Sequence, residues 1–325
     1  MSSEVISPLK QKLEHFPVTF FAVVMGLTGL TLAFEAASIS YSGLSSVSSV
    51  LLWISTVSFI GISLIYLAKC VLHFDQLKAE WHNPARLSFF PAISISTLLL
   101  SLAWCGEIGH TVWPFFVFSA ALQIILTFSV ISGWIGRRSF QHGQLSPAWF
   151  IPAVGNVLVP LVGVPLGYID VSWFFFALGI VFWIVLLTLV VNRLIFHDPL
   201  PDKLQPTLVI LIAPPAIGFL AWMELVGGLD RFGRVLINSA YVFALIVAVQ
   251  LPRISKLDFT MSFWALSFPI TALTIASFEY SAAIESAMFE VIGVFLLVFV
   301  SGVILWLTWN TIKAAMAGKI CVPEG

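Results

Sequence analysis

The sequence predicts an all-α membrane protein. Ten transmembrane helices form five helical hairpins, and the odd-numbered helices make an inner ring around a central pore. Three observations lead there: the composition, the number of membrane-length apolar runs, and the return of proline on alternate runs. Of the 325 residues, 59% are hydrophobic and 10% are charged, and the mean hydropathy is +1.03. A soluble domain carries roughly 25% charged residues. No polar stretch approaches the length of a separate soluble domain.

A helix needs about 20 apolar residues to cross a bilayer. Such runs fall at 16–35, 47–68, 88–106, 112–135, 149–168, 171–192, 207–226, 233–252, 262–280 and 288–312. The expected organisation is an N-terminal tail over 1–15, a ten-helix transmembrane domain over 16–317 and a C-terminal tail over 318–325. Basic residues set the orientation. Thirteen of the fifteen lysines and arginines fall on one side of a ten-helix arrangement, among them Lys10, Lys69, Arg137, Arg138, Arg193 and Arg253; only Arg231 and Arg234 fall on the other. Both termini are therefore expected in the cytoplasm.

The odd runs differ from the even ones. They carry Pro17, Pro91, Pro152, Pro160, Pro165, Pro214, Pro215 and Pro269, whereas the interiors of the even runs carry none. Within a bilayer, proline is tolerated where neighbouring helices or a polar cavity satisfy the groups it frees. Short outer links such as Gly167-Tyr168-Ile169-Asp170 join each odd run to its successor, an internal repeat of the kind common in transport proteins.

An acid stands near the outer end of each odd run: Glu35, Glu107, Asp170, Glu224 and Glu279. Counting back ten residues reaches Met25, Thr97, Pro160, Pro214 and Pro269, with Gly26 beside the first. One residue earlier lie Val24, Ser96, Val159, Ala213 and Phe268. Eleven residues at about 1.5 Å each cover roughly 16 Å, half of a hydrocarbon core of about 30 Å. If these residues face one axis, Phe268 is the single large side chain in a ring at mid-membrane. Thr271 adds a hydroxyl nearby.

Catalytic chemistry is not visible. No run has an ionisable residue at its centre, where a pump or membrane enzyme usually places one. The histidines lie at or near the boundaries, no HExxH or GxSxG occurs, and Cys70, Cys105 and Cys321 are too scattered for a metal site or a disulfide framework. The net charge of −1 carries no signal of a nucleic-acid partner. No enzyme activity and no cofactor is expected; a passive pore is favoured. A basic cytoplasmic mouth attracts anions while the outer acids repel them, so charge alone leaves the sign of the ion open.

The segments Phe16-Pro17-Val18-Thr19-Phe20-Phe21-Ala22-Val23-Val24-Met25-Gly26-Leu27 and Ser267-Phe268-Pro269-Ile270-Thr271 resemble the tellurite-resistance/dicarboxylate transporter family. That family includes TehA-like bacterial proteins, fungal malate and sulfite transporters and the plant slow-type anion channels. The resemblance extends over essentially the whole chain. It implies a homotrimer of independent pores in the cytoplasmic (inner) membrane, each of five inner helices within five outer ones. It also implies conduction of small inorganic anions such as chloride and nitrate, with Phe268 as the gate by motif match. Export or exchange of C4-dicarboxylates, sulfite or tellurite is the alternative.

Overall fold

The computed structural model describes residues 12–136, 140 and 142–322. Lys10, Arg137, Arg138, most of the N-terminal tail and the last three residues of the C-terminal tail lie outside the described residues. Every regular element among the described residues is helical. The ten principal helices are α1 (Phe21–Ser38), α2 (Ser45–Leu72), α3 (Ala92–Ile108), α4 (Trp113–Gly136), α5 (Phe150–Gly163), α6 (Ile169–Phe196), α7 (Ala213–Val226), α8 (Arg231–Ile254), α9 (Ser267–Ile284) and α10 (Ala287–Met316).

By length and composition, eight helical stretches are able to cross a membrane. The difference from ten has two local causes. Pro84–Gly136 is one continuous helical stretch holding both α3 and α4, linked by a 3-10 turn at Gly109–Val112. The stretch containing α5, Pro147–Gly163, is shorter than a full span. Pro165 stops α5 early, since it cannot donate to a continuing helix. A turn then follows in which Tyr168 N–H donates to Gly163 C=O at 2.7 Å.

Each odd helix packs along its even successor. The odd helices also touch one another in a closed cycle, α1 on α3, α3 on α5, α5 on α7, α7 on α9 and α9 back on α1. Burial follows the same alternation. Two-thirds or more of the apolar window is buried in the stretches of α1, α7 and α9 (67%, 72% and 78%), against 17–33% for α2, α6, α8 and α10. All of α5 is buried. The even helices turn their large apolar side chains outward, as with Val50, Trp53, Val57 and Leu64 on α2. An aqueous surface would not hold contiguous apolar area on this scale, so the outer layer faces lipid and the protein is a multi-pass membrane protein.

Five prolines of the inner helices stand at or near helical starts. Pro17 and Pro91 cap helical starts, and Pro152, Pro215 and Pro269 are each the third residue of an α-helix. The first turn of a helix has no intrahelical acceptor for its N–H groups, so a proline there removes no bond. Before α1, α5, α7 and α9 the chain runs as a 3-10 segment: Val18–Phe20, Pro147–Trp149, Asp202–Ile212 and Met261–Leu266. Pro152, Pro215 and Pro269 thus stand just past the change from 3-10 to α geometry, whereas Pro160 lies inside α5.

Helices α2, α6, α8 and α10 carry a basic residue in the last turn: Lys69, Arg193, Arg253 and Lys313. Cations there complement the negative end of the helix dipole. The odd helices begin at this basic end. One ion pair is buried within it. Lys69 Nζ donates to Glu80 Oε2 at 2.6 Å and to Phe16 C=O at 2.8 Å. Glu80 Oε1 accepts from Val18 N–H at 2.7 Å, and Tyr66 Oη donates to Oε2 at 3.2 Å. Glu80 sits on a short helix, Phe74–His82, so this cluster ties the α2 end and the following loop to the 3-10 start of α1.

Removing one member of a buried pair costs about 3–5 kcal/mol, because the other charge is left alone. Glu80→Ala is expected to lower the unfolding temperature in detergent markedly, and Lys69→Met in the same chain should recover part of the loss. At the opposite end, Asp230 caps α8, accepting from Gly233 N–H at 2.8 Å and Trp222 Nε1–H at 2.7 Å. Its bond from the Gly233 N–H, then that from Trp222, holds its pKa below the ordinary 3.8. A depressed acid stabilises the fold above its ordinary value and loses that contribution as pH falls through the depressed one. Asp230→Ala should therefore lower the melting temperature at pH 7, and the gap from wild type should close on acidification below pH 3.8.

Candidate functional site: a cavity among the inner helices

The inner helices line a small cavity of about 40 Å³. Its wall comes from all five inner helices and the segments leading into them, and from no outer helix. Each contributes a pair three residues apart: Ala22 and Met25, Ala92 and Ile95, Ile151 and Val154, Ile210 and Ala213, Ala265 and Phe268. This spacing is one turn of helix, so each pair forms a single inward ridge. The wall has no charged side chain, and Thr19 and Ser262 supply its hydroxyls.

Phe268 is buried, with 6% of its surface exposed. Its ring lies over Gly29 of α1, with Cδ2 3.5 Å from where a Cβ on that glycine would stand. Two glycines of α1 admit α9. A Cβ on Gly26 would overlap the Ser267 hydroxyl and come within 2.7 Å of the Ser267 Cβ, and a Cβ on Gly29 would overlap the Thr271 hydroxyl. Those hydroxyls donate back to their own helix, Ser267 to Trp264 C=O at 2.6 Å and Thr271 to Phe268 C=O at 2.9 Å. Trp264 is anchored from outside through Nε1–H to Thr311 Oγ1 of α10 at 2.9 Å.

A second polar knot orients α5. Ser94 donates to Gln123 Oε1 at 2.7 Å, and Gln123 Nε2 donates to Thr127 Oγ1 at 3.0 Å and Pro152 C=O at 3.2 Å. Asn156 Nδ2 donates to the same carbonyl at 2.6 Å. The knot joins α3, α4 and α5 around Pro152, which stands between Ile151 and Val154 of the cavity wall.

Of the residues singled out from sequence, Ala213, Phe268 and Pro269 meet in this cavity, together with Met25. The others stand outside its wall. Gly26 and Thr271 serve the α1–α9 contact. Ser96 Oγ donates to Ala92 C=O at 2.7 Å and to Phe21 C=O at 3.2 Å, and Thr97 donates to Ser94 C=O at 2.8 Å. Val24 and Val159 are fully buried. Pro160 sits in the last turn of α5, and Pro214 in the first turn of α7. Asp170 falls in the first turn of α6, so counting back from it lands near the end of α5 instead of its middle. The remaining acids lie on inner helices. Glu35 lies near Glu107, and Glu224 near Glu279. Glu35 also packs on Gly106, and Ser49 donates to Glu107 at 3.4 Å. Ile95, Ile151 and Val154 escaped the sequence reading; the signal that points to them is the proline beside each helix start.

Residues 15–312 match the model of the SLAC1 family, described as voltage-dependent anion channels. The chain belongs to this family. Among curated relatives, it is 28% identical over 293 residues to the S-type anion channel SLAH2 of Arabidopsis thaliana, covering 86% of this chain and 55% of that protein. It is 26% identical over 337 residues to SLAH3 of the same plant, covering 99% and 52%. A tellurite resistance protein TehA homolog of Haemophilus influenzae is 24% identical over 318 residues, covering 93% and 92%. The chain thus spans about half the length of these plant relatives and nearly all of the bacterial one. The family's members carry channel and transporter names, which points to a non-enzyme.

Overfilling a packed interface costs about 1–3 kcal/mol. Gly26→Ala should lower thermal stability in detergent by an amount of that order. Ser267→Ala, which keeps its Cβ, should restore little of it, whereas Ser267→Gly should restore most.

Proposed function

We propose that this chain is an anion channel whose central path is occluded at Phe268, and that it conducts small monovalent anions such as chloride and nitrate. Ten spans form five hairpins in this reading, and the closed cycle of inner helices surrounds the path. The observation that carries it is the axial cavity itself: five helices contribute one ridge each, none of the lining is charged, and Phe268 is the aromatic ring among those five pairs.

Helix direction supports the sign of the ion. All five inner helices begin at the basic end, and the cavity lies along their starts. Their dipoles therefore place partial positive charge near it. Anions gather at the basic mouth by simple attraction and shed part of their water in the apolar throat. The Thr19 and Ser262 hydroxyls and the polarised helix starts offset part of that loss. Passage requires the Phe268 ring to leave its seat over Gly29. The protein sits in the cytoplasmic membrane with both termini inside, and three copies associate, each with its own path.

A second reading is a transporter or exporter of C4-dicarboxylates, sulfite or tellurite; the Haemophilus relative's name, a tellurite resistance protein, favours the last of these. Saturable, exchange-coupled flux would mark a carrier, and current proportional to concentration with several permeant anions would mark a channel.

Lowering a barrier by only ~1.4 kcal/mol raises a rate about tenfold. Phe268→Ala is accordingly expected to raise anion current by about that factor or more in voltage-clamp recording, with a reversal potential that follows chloride substitution. Unchanged current at equal surface expression would refute the gate, and a reversal potential that follows the cation would refute the ion.

A further inference from the structure

A second cavity, of about 350 Å³, opens at the basic end between the ends of α6 and α8 and the 3-10 segment Asp202–Ile212. Its floor is apolar, formed by Leu194, Leu208, Leu211 and Val247. Its wall also includes Gln250 and Arg253, both exposed, from the last turns of α8. Among the described residues no carboxylate forms an ion pair with Arg253. The approach is apolar too, because Leu245, Ile246 and Val249 of α8 are 70%, 50% and 76% exposed on the lipid-facing layer.

An apolar slot that continues the lipid-facing surface and ends at an uncompensated guanidinium has the polarity of an anionic phospholipid. The acyl chain has the slot, and the phosphate has Arg253, a side chain suited to paired hydrogen bonds with phosphate oxygens. A soluble anion would make no use of the apolar floor, and a neutral lipid would make no use of the free cation. We infer that this cavity binds one anionic phospholipid from the leaflet at the basic end, with its phosphate on Arg253.

The site touches the axial path through one segment. Leu208 and Leu211 form its floor, while Ile210 of the same 3-10 segment, with Ala213 just beyond it, lines the axial cavity. A seated lipid therefore braces the start of α7 from the outside. The inference does not depend on which ion passes.

Native mass spectrometry of the detergent-solubilised full chain, titrated with phosphatidylglycerol or phosphatidylcholine of equal chain length, tests it. Wild type should retain phosphatidylglycerol in preference to phosphatidylcholine. Arg253→Gln should cut phosphatidylglycerol retention about fivefold, the scale of one basic side chain at an anionic membrane surface, and remove the preference. Gln250→Trp, an exposed substitution that fills the mouth, should reduce retention of both lipids, and Lys256→Gln should change neither. Equal retention of the two lipids by wild type would overturn the proposal. So would full phosphatidylglycerol retention by Arg253→Gln, or displacement of the lipid by millimolar inorganic phosphate.

Discussion

The contact between α1 and α9 is what the rest of the bundle depends on. These are the first and last inner helices, far apart in the chain, and the ring closes only where they meet. Gly26 and Gly29 bring the α1 backbone against the hydroxyls of Ser267 and Thr271. Without a hydrophobic force between helices in lipid, such close packing of small residues carries helix association. The same glycine that admits Thr271 also seats the Phe268 ring, so ring closure and the placement of Phe268 share one surface.

Satisfaction of polar groups is the second constraint. In a bilayer every backbone N–H and C=O needs a partner inside the protein, and most prolines of the inner helices, Pro152, Pro215 and Pro269 among them, meet it by standing at helix starts. The 3-10 segments before α1, α5, α7 and α9 carry the chain from the basic end to the level of the axial cavity. Hydroxyls on inner helices mostly bond the carbonyl three or four residues back, as Ser96, Ser101, Thr274 and Ser277 do. They are thereby buried without being left unpaired. The Gln123 and Glu80 clusters fix the rotation of α5 and the start of α1, which decides which side chains those helices turn inward.

Burial and exposure explain why one layer looks so unlike the other. The outer helices show lipid their Leu, Val, Phe and Trp, and only their narrow inner faces are buried. The inner helices are surrounded on all sides. Small residues of these helices lie where another helix crosses, as Gly155 does against Gln123 and Gly163 against Ser172.

The alternation of proline-bearing and proline-free runs, the apolar lengths and the basic bias were all legible in the chain, because each is a property of composition along one helix. So was Phe268 as a singular residue beside a proline. The wall of the cavity was not. A count back from an acid such as Glu107 or Asp170 fixes depth along a helix but not rotation about it, and each residue turns the next side chain by about 100°. Ser96 and Val159 are therefore buried outside the cavity wall while Ile95 and Val154 line it. Asp170 shows the same limit, since Pro165 moved it onto the next helix. By itself the sequence determined a membrane bundle with two kinds of helix and one notable aromatic. Only the tertiary structure decided which faces converge, because helix rotation is set by contacts such as Gly26 on Ser267 and Gln123 on Pro152 between residues distant in the chain.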